Sequence, residues 1–217
     1  MQYFTIDKFI LIISIIIGLI KSNKLNKTYL NYLPLILLTI LLFEISIKLI
    51  HKPGENNILF YNIISVIEFT FFLYFFQEVI PFHKTKIIIK ILKISIPIIC
   101  FVNIVFIQGI HTFHTITYIF TALILIIIGV LFFYQTFKKT EIVKLQNESS
   151  FWITTAIIFF YTSSISIMGI INFAAILPKS IIIQMHNVLI SVNCFFYLML
   201  IFAFTCQINT RKSTRNS

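Results

Sequence analysis

Long apolar runs separated by short polar links dominate this chain. Seven stretches carry few or no charges: Tyr3–Ile20, Tyr32–Ile50, Ile58–Ile80, Ile87–Ile107, Thr115–Phe137, Phe151–Leu177 and Ile181–Cys206. Crossing about 30 Å of hydrocarbon takes roughly 20 helical residues, and each run comes close to that or exceeds it. The runs are continuously apolar, whereas barrel strands alternate apolar with polar positions. Isoleucine and phenylalanine favour strands in water, but in lipid a span must satisfy its own backbone hydrogen bonds, and a helix does so within one segment. The pattern therefore predicts an all-α polytopic bundle of seven transmembrane helices. Asp7 and Lys8 shorten the apolar core of the first run, and Pro178-Lys179 marks the turn between the last two. The FILIISIIIGLI stretch after Lys8 imitates a secretory signal. It has neither a strongly basic leader nor an A-x-A-like cleavage site, so it reads as an uncleaved first helix.

Composition agrees with this reading. Of 217 residues, 59% are hydrophobic and only 11% charged, with a mean hydropathy of +0.98. A soluble domain needs far more polar surface. The expected organisation is one transmembrane domain over residues 1–206 and a short basic tail over 207–217. The net charge of +10 suggests nucleic acid at first sight, yet the basic residues sit at the ends of apolar runs rather than on one face, which is the signature of membrane topology. Lys21, Lys24 and Lys27, then Lys84, Lys86, Lys90 and Lys93, then Lys138, Lys139 and Lys144, then Arg211, Lys212 and Arg215 fall on one side of the alternating spans. That side holds 13 of the 17 basic residues, while Lys8, Lys48, Lys52 and Lys179 fall opposite. The positive-inside rule then places the N-terminus outside and the C-terminus inside a cytoplasmic (inner) membrane. Membrane lipids are the expected surroundings and nucleic acid is not an expected partner. Cys100, Cys194 and Cys206 all lie in apolar context and read as buried free thiols. Tyr29, Tyr32, Phe151 and Trp152 at run ends suit interfacial anchoring. No internal repeat supports a transporter built from symmetric halves.

Polar residues inside the runs are where chemistry is expected, because an ionisable side chain at mid-bilayer costs about 2.5–3.5 kcal/mol even on lenient insertion scales. Glu44 and Lys48 are spaced i, i+4 with the acid first, the favourable order for an ion pair. Glu68 lies ten residues into the third run, with no basic residue within a turn. His186 and Asn193 share a helix face seven residues apart, and Asn187 lies beside them. Asn62, Asn103 and Asn172 are predicted at similar outward depths. Interhelical hydrogen bonds of about 0.6 kcal/mol each account for such residues singly, but their recurrence at one depth favours a polar, outward-opening pocket. The expected ligand-binding set is Glu44, Lys48, Asn62, Glu68, Asn103, Asn172, His186, Asn187 and Asn193. His111 and His114 are spaced to share a metal with His186, but no acidic residue accompanies them; solvated loop histidines are the better expectation, and no cofactor is implied.

No P-loop, G-x-S-x-G, H-E-x-x-H or C-x-x-C occurs, and the last run has no lysine for a retinal Schiff base. The pattern Tyr61-Asn62…Glu68-Phe69, followed by Glu148-Ser149-Ser150-Phe151-Trp152, resembles a group of uncharacterised bacterial seven-helix membrane proteins. Some proteins of that build resemble the membrane sensor regions of signalling proteins. The resemblance implies a sensory or ligand-binding module, more in keeping with a non-enzyme. It would have no output domain of its own, a small-molecule ligand from the outer side, and a cytoplasmic signalling partner meeting the basic loops. The alternative is a small transporter or proton-coupled permease using Glu44 and Glu68, for which an inner polar pathway is expected; the inward halves of runs two to five are mostly apolar. A third reading is a membrane lipid hydrolase built on His186 and the loop histidines.

Overall fold

The computed structural model describes residues 5–22, 27–50, 57–138 and 145–215, the side chains of Ser22, Lys48, Ile50, Ala174, Ala175 and residues 207–215 excepted. Seven α-helices are found and no strand occurs among the described residues: α1 (Ile6–Ser22), α2 (Thr28–Ile50), α3 (Ile58–Val79), α4 (His83–Val102), α5 (Thr115–Phe137), α6 (Ser149–Ile170) and α7 (Lys179–Arg215). Six of them, α2 to α7, are long and apolar enough to cross a membrane; α1 has 17 residues and carries Asp7 in its first turn. The seven apolar runs thus each become a helix, with boundaries within a few residues of those expected. The exceptions are α4 and α6, whose last turns give way to a π turn from Asn103 and a 3-10 turn from Ile171, and α7, which continues as helix past Cys206, through most of the segment expected to be a separate tail.

Consecutive helices alternate in direction, so the links after α1, α3 and α5 and the end of α7 lie at one end, here the basic-loop end; the other is the far end. α1 packs between α2 and α7, α7 against α6, α6 against α5, and α5 against α3, while α2 also meets α3. These six helices close a ring. α4 flanks the ring outside α3 and turns Ile87, Ile88, Ile91, Ile94, Ile98 and Ile99 outward, a surface suited to lipid. The ring is filled by aromatic side chains, which bury much apolar area and meet edge to face. Phe69 of α3 touches Tyr118 of α5 and Tyr161 of α6, and Phe72 touches Tyr161 and Phe196 of α7.

Two local features shape the far and basic-loop ends differently. Pro97 lies inside α4, and the helix ends in a π turn over Asn103–Ile107, where the Gln108 amide donates to the Asn103 carbonyl at 2.8 Å. Gly109 follows with φ +86°, a conformation that side chains rarely adopt. Nearer the basic-loop end, α1 meets α2 and α7 at Gly18: a Cβ there would lie 2.6 Å from Pro34 Cγ and 2.9 Å from Phe204 Cζ. The absence of a side chain at Gly18 leaves the room that the Pro34 and Phe204 rings fill. By contrast, α7 is exposed all round from Lys179 to Gln184 and again from His186 to Val188, so its first turns stand away from the ring.

Candidate functional site

Two polar groups occupy the far half of the bundle. The first surrounds the loop between α4 and α5. A loop buried under a helix bundle must have its backbone polar groups satisfied, and two asparagines do this. Asn62 of α3 donates to the Thr112 carbonyl at 3.0 Å and accepts from the His114 amide at 3.2 Å. Asn172, in the short 3-10 turn after α6, accepts from the Phe113 amide at 3.0 Å and donates to its carbonyl at 2.9 Å. Gln108 caps the start of α5 through Thr115 Oγ1 at 2.9 Å and the Ile116 amide at 3.1 Å. Asn103 Nδ2 donates to Gln108 Oε1 at 2.7 Å and Thr117 Oγ1 at 3.1 Å. His114 stands at the centre, fully buried, with Nε2 2.6 Å from Ser65 Oγ and Nδ1 2.8 Å from Thr117 Oγ1.

The expectation of a solvated His114 is therefore corrected: His111 is exposed, but the ring three residues on points into the bundle. Its burial pushes the imidazole down to about 4, so it stays neutral and takes part in the network as donor and acceptor. A serine hydroxyl beside a histidine nitrogen has the contact of a nucleophile and its base. Here, however, the ring is enclosed and Ser65 also bonds the Asn62 carbonyl at 2.9 Å, which leaves no approach for a substrate. Both His114 nitrogens are engaged, and among the described residues no three His, Cys, Asp or Glu side chains are arranged to hold a metal.

The second group lies where α1, α2, α3 and α7 converge. Lys8 Nζ donates to Glu44 Oε2 and lies 3.7 Å from Asp7 Oδ2. Asn193 Nδ2 approaches the same Asp7 oxygen at 3.5 Å. Asp7 is only 2% exposed, and its second oxygen, Oδ1, has no hydrogen-bond partner. Glu44 thus has a partner in Lys8 of another helix; the side chain of Lys48, the cation spaced to pair with it, lies outside the described residues. Glu68, itself half-buried, lies on α3 between the buried Ile64 and Ser65 and the buried Phe71 and Phe72. It lies within electrostatic reach of Glu44, Tyr118, Tyr161 and Tyr197. Tyr197 of α7 is in turn within reach of Asp7, Glu44 and Glu68, which makes it the common neighbour of all three acids.

The expected site residues therefore divide. Glu44, Glu68 and Asn193 join the carboxylate group; Asn62, Asn103 and Asn172 hold the loop; His186 and Asn187 lie on the exposed first turns of α7. Asp7, Lys8 and Tyr197 complete the carboxylate group and were not expected in it. Their signal was present: Asp7-Lys8 sits at the same depth as Glu44, at the other end of an apolar run.

A third polar region opens at the basic-loop end, a cleft of about 480 Å³ bordered by Lys27, Tyr29, Glu78, Thr136, Glu148 and Ser150. Lys27 Nζ donates to Glu148 Oε2 at 2.7 Å, and the Tyr29 and Ser149 hydroxyls meet at 3.1 Å. Burial alone would lower Lys27; Tyr29 and Glu148 outweigh it and hold the ammonium above its ordinary value. Tyr29, expected as an interfacial anchor, is instead buried by this contact. None of the three thiols forms a disulfide, but only Cys100 is buried; Cys194 and Cys206 are half-buried. No family model, curated protein or solved structure matches the chain.

Proposed function

We propose that the chain is a multi-pass protein of the cytoplasmic membrane that binds a small cationic solute at the carboxylate group, as a ligand-binding or sensory module. In this reading α1 crosses with the other six helices, the far end faces outward and the basic loops face the cytoplasm. The observation that carries it is an imbalance of charge. Asp7, Glu44 and Glu68 come from three helices, and the one lysine described beside them is Lys8, which serves Glu44 and Asp7 together. Intramembrane acids persist where they are paired or where they serve a ligand or ion, and a buried carboxylate oxygen with no donor has a standing cost. A protonated amine supplies both the missing charge and the missing donors. The exposed first turns of α7 and the exposed Tyr61 of α3 leave a way in from the far end. The resemblance to sensor-type membrane modules supports a signalling role, and the 13-to-4 distribution of basic residues supports the orientation. Binding would transmit a signal to a cytoplasmic partner only if the ligand favours one bundle packing over another.

The test is access to position 68. In a chain with Cys100, Cys194 and Cys206 replaced, Glu68→Cys is exposed to an impermeant thiol reagent in oriented vesicles, with and without methylammonium chloride. Labelling from the far end, slowed by methylammonium but not by sodium chloride, is expected when Asp7 and Glu44 are intact. A folded protein that is not labelled from that end overturns the reading.

A further inference from the structure

The hydroxyl groups of α6 are distributed unevenly around that helix. Ser150, Thr154, Tyr161 and Ser164 follow one another at spacings of four, seven and three, which places them on one face. All four are buried, and Thr154, Tyr161 and Ser164 are 0% exposed. The face begins at the basic-loop cleft, which Ser150 borders. It ends beside Glu68, which lies within electrostatic reach of Tyr161 and of Tyr118, the partner of Ser164 at 3.0 Å. From Ser150 to Tyr161 the helix rises about 16 Å, half the thickness of the hydrocarbon core.

Two hydroxyls on this face have no partner, Thr154 Oγ1 and Tyr161 Oη. Thr154 shares this omission with the buried Ser14 of α1, against the habit of the other helix hydroxyls. Thr39, Ser46, Thr70, Thr136, Thr155, Ser191 and Thr205 all donate to the carbonyl four residues back on their own helix. Thr154 has the same option in the Ser150 carbonyl and does not use it, although its neighbour Thr155 does. In a membrane interior an unpaired buried hydroxyl costs more than this local bond would require. Helical side chains lean toward the N-terminus of their helix, so the Tyr161 ring leans toward the Thr154 turn. Two unpaired hydroxyls buried on one helix face inside a bundle are the setting in which an internal water is retained.

We infer that this face of α6, completed by water, is a proton path joining the basic-loop cleft to Glu68. The carboxylate group would then bind its cation in exchange with protons. This rests on the cation-binding reading above and makes it a proton-coupled one. In the step, a hydronium ion in the cleft gives a proton to Ser150. Each hydroxyl and intervening water accepts one proton and releases another to the next, and the last forms the O–H bond of a neutral Glu68 carboxyl. The hydronium becomes water, one positive charge moves inward, and nothing is oxidised or reduced. Around Glu68 the titratable neighbours are Glu44 of α2, Tyr118 of α5, Tyr161 of α6 and Tyr197 of α7. Asp7 and Lys8 of α1 lie behind Glu44, and Cys100 of α4 sits beside Thr117 and Thr121.

The full chain is tested in oriented phosphatidylcholine vesicles with acid jumps applied to either side. The readout is the infrared carbonyl stretch of a protonated carboxyl, assigned to Glu68 by its loss in Glu68→Gln. A jump on the basic-loop side is expected to protonate Glu68 in the wild type. Thr154→Val and Tyr161→Phe are expected to slow that response by roughly tenfold or more, with Thr154→Ser restoring it. Responses to a jump on the far side, unchanged in these variants, show that the fold is intact. Equal rates in wild type and Thr154→Val, or no response from the basic-loop side, overturn the path. A band that answers only to the basic-loop side leaves the path standing and overturns the outward-opening site instead.

Discussion

The two polar groups of the far half differ in one respect that separates architecture from chemistry. Around His114, almost every buried polar group has a partner; the Asn103 Oδ1 acceptor, which no donor reaches, is the exception. Around Asp7, Glu44 and Glu68 the acids outnumber the cations among the described residues, and a buried oxygen of Asp7 goes unpaired. Both groups are made of residues that cost free energy to place in a membrane. The first recovers that cost within the protein, by tying the α4–α5 loop to α3 and to the turn after α6. The second does not, and an unsatisfied buried charge is the better guide to a site than polarity itself.

Three perturbations sharpen the contrast. Asn62→Leu should be the most damaging, because it strips partners from the buried Thr112 carbonyl and His114 amide together. At about 1–3 kcal/mol for each unsatisfied group, a loss of about 3 kcal/mol is expected in detergent melts, with labelling at position 68 unaffected in the protein that remains folded. Acid comes next. His114 is held down to about 4 by burial, below its ordinary value near 6.5. As pH falls between these values the unfolded chain takes up the proton first, so stability is fully present above about 6.5 and falls toward pH 4. The integrated loss is about 3 kcal/mol at most. Unfolding curves at pH 7 and pH 5 should diverge in the wild type and converge in His114→Gln. The smallest effect is opposite in sign. Asp7→Asn removes a carboxylate that shares its cation with Glu44, and should leave stability unchanged or raise it by about 1 kcal/mol, while weakening protection by methylammonium. A destabilisation like that of Asn62→Leu would erase the distinction between the two groups.

Much of the fold was legible because the bilayer reads sequence by length and polarity. All seven apolar runs became helices, and Pro178-Lys179 did separate the last two. The candidate site was legible in part. Glu44 and Glu68 drew notice because they are charges in apolar runs; Asp7 and Lys8 did not, because they stand at the end of one, where charge is ordinary. Spacing along one helix offers Glu44 only Lys48, whereas packing of α1 on α2 also brings it Lys8, 36 residues earlier. His114 misled for a related reason: HTFH looks solvated in isolation, as His111 is, but Asn62, Ser65 and Asn172, distant in sequence, hold the segment from Thr112 to His114 inward. The α6 hydroxyls were visible as a polar run around Tyr161, yet their meaning depends on which face of the helix is buried.

The close approach at Gly18 gives α7 mechanical leverage. The Phe204 ring meets α1 there, at the point where Pro34 of α2 also meets it, while the first turns of the same helix are largely exposed. Lys179 stands about 37 Å from Phe204 along a continuous helix, so a tilt of about 5° about that contact would carry its end sideways by about 3 Å. Asn193 and Tyr197, near the fulcrum beside the acids, would shift by only a fraction of that. The ratio runs both ways: a small rearrangement around the carboxylates becomes a large displacement at the far surface, and a modest lateral force applied there is felt as a strong one at the acids.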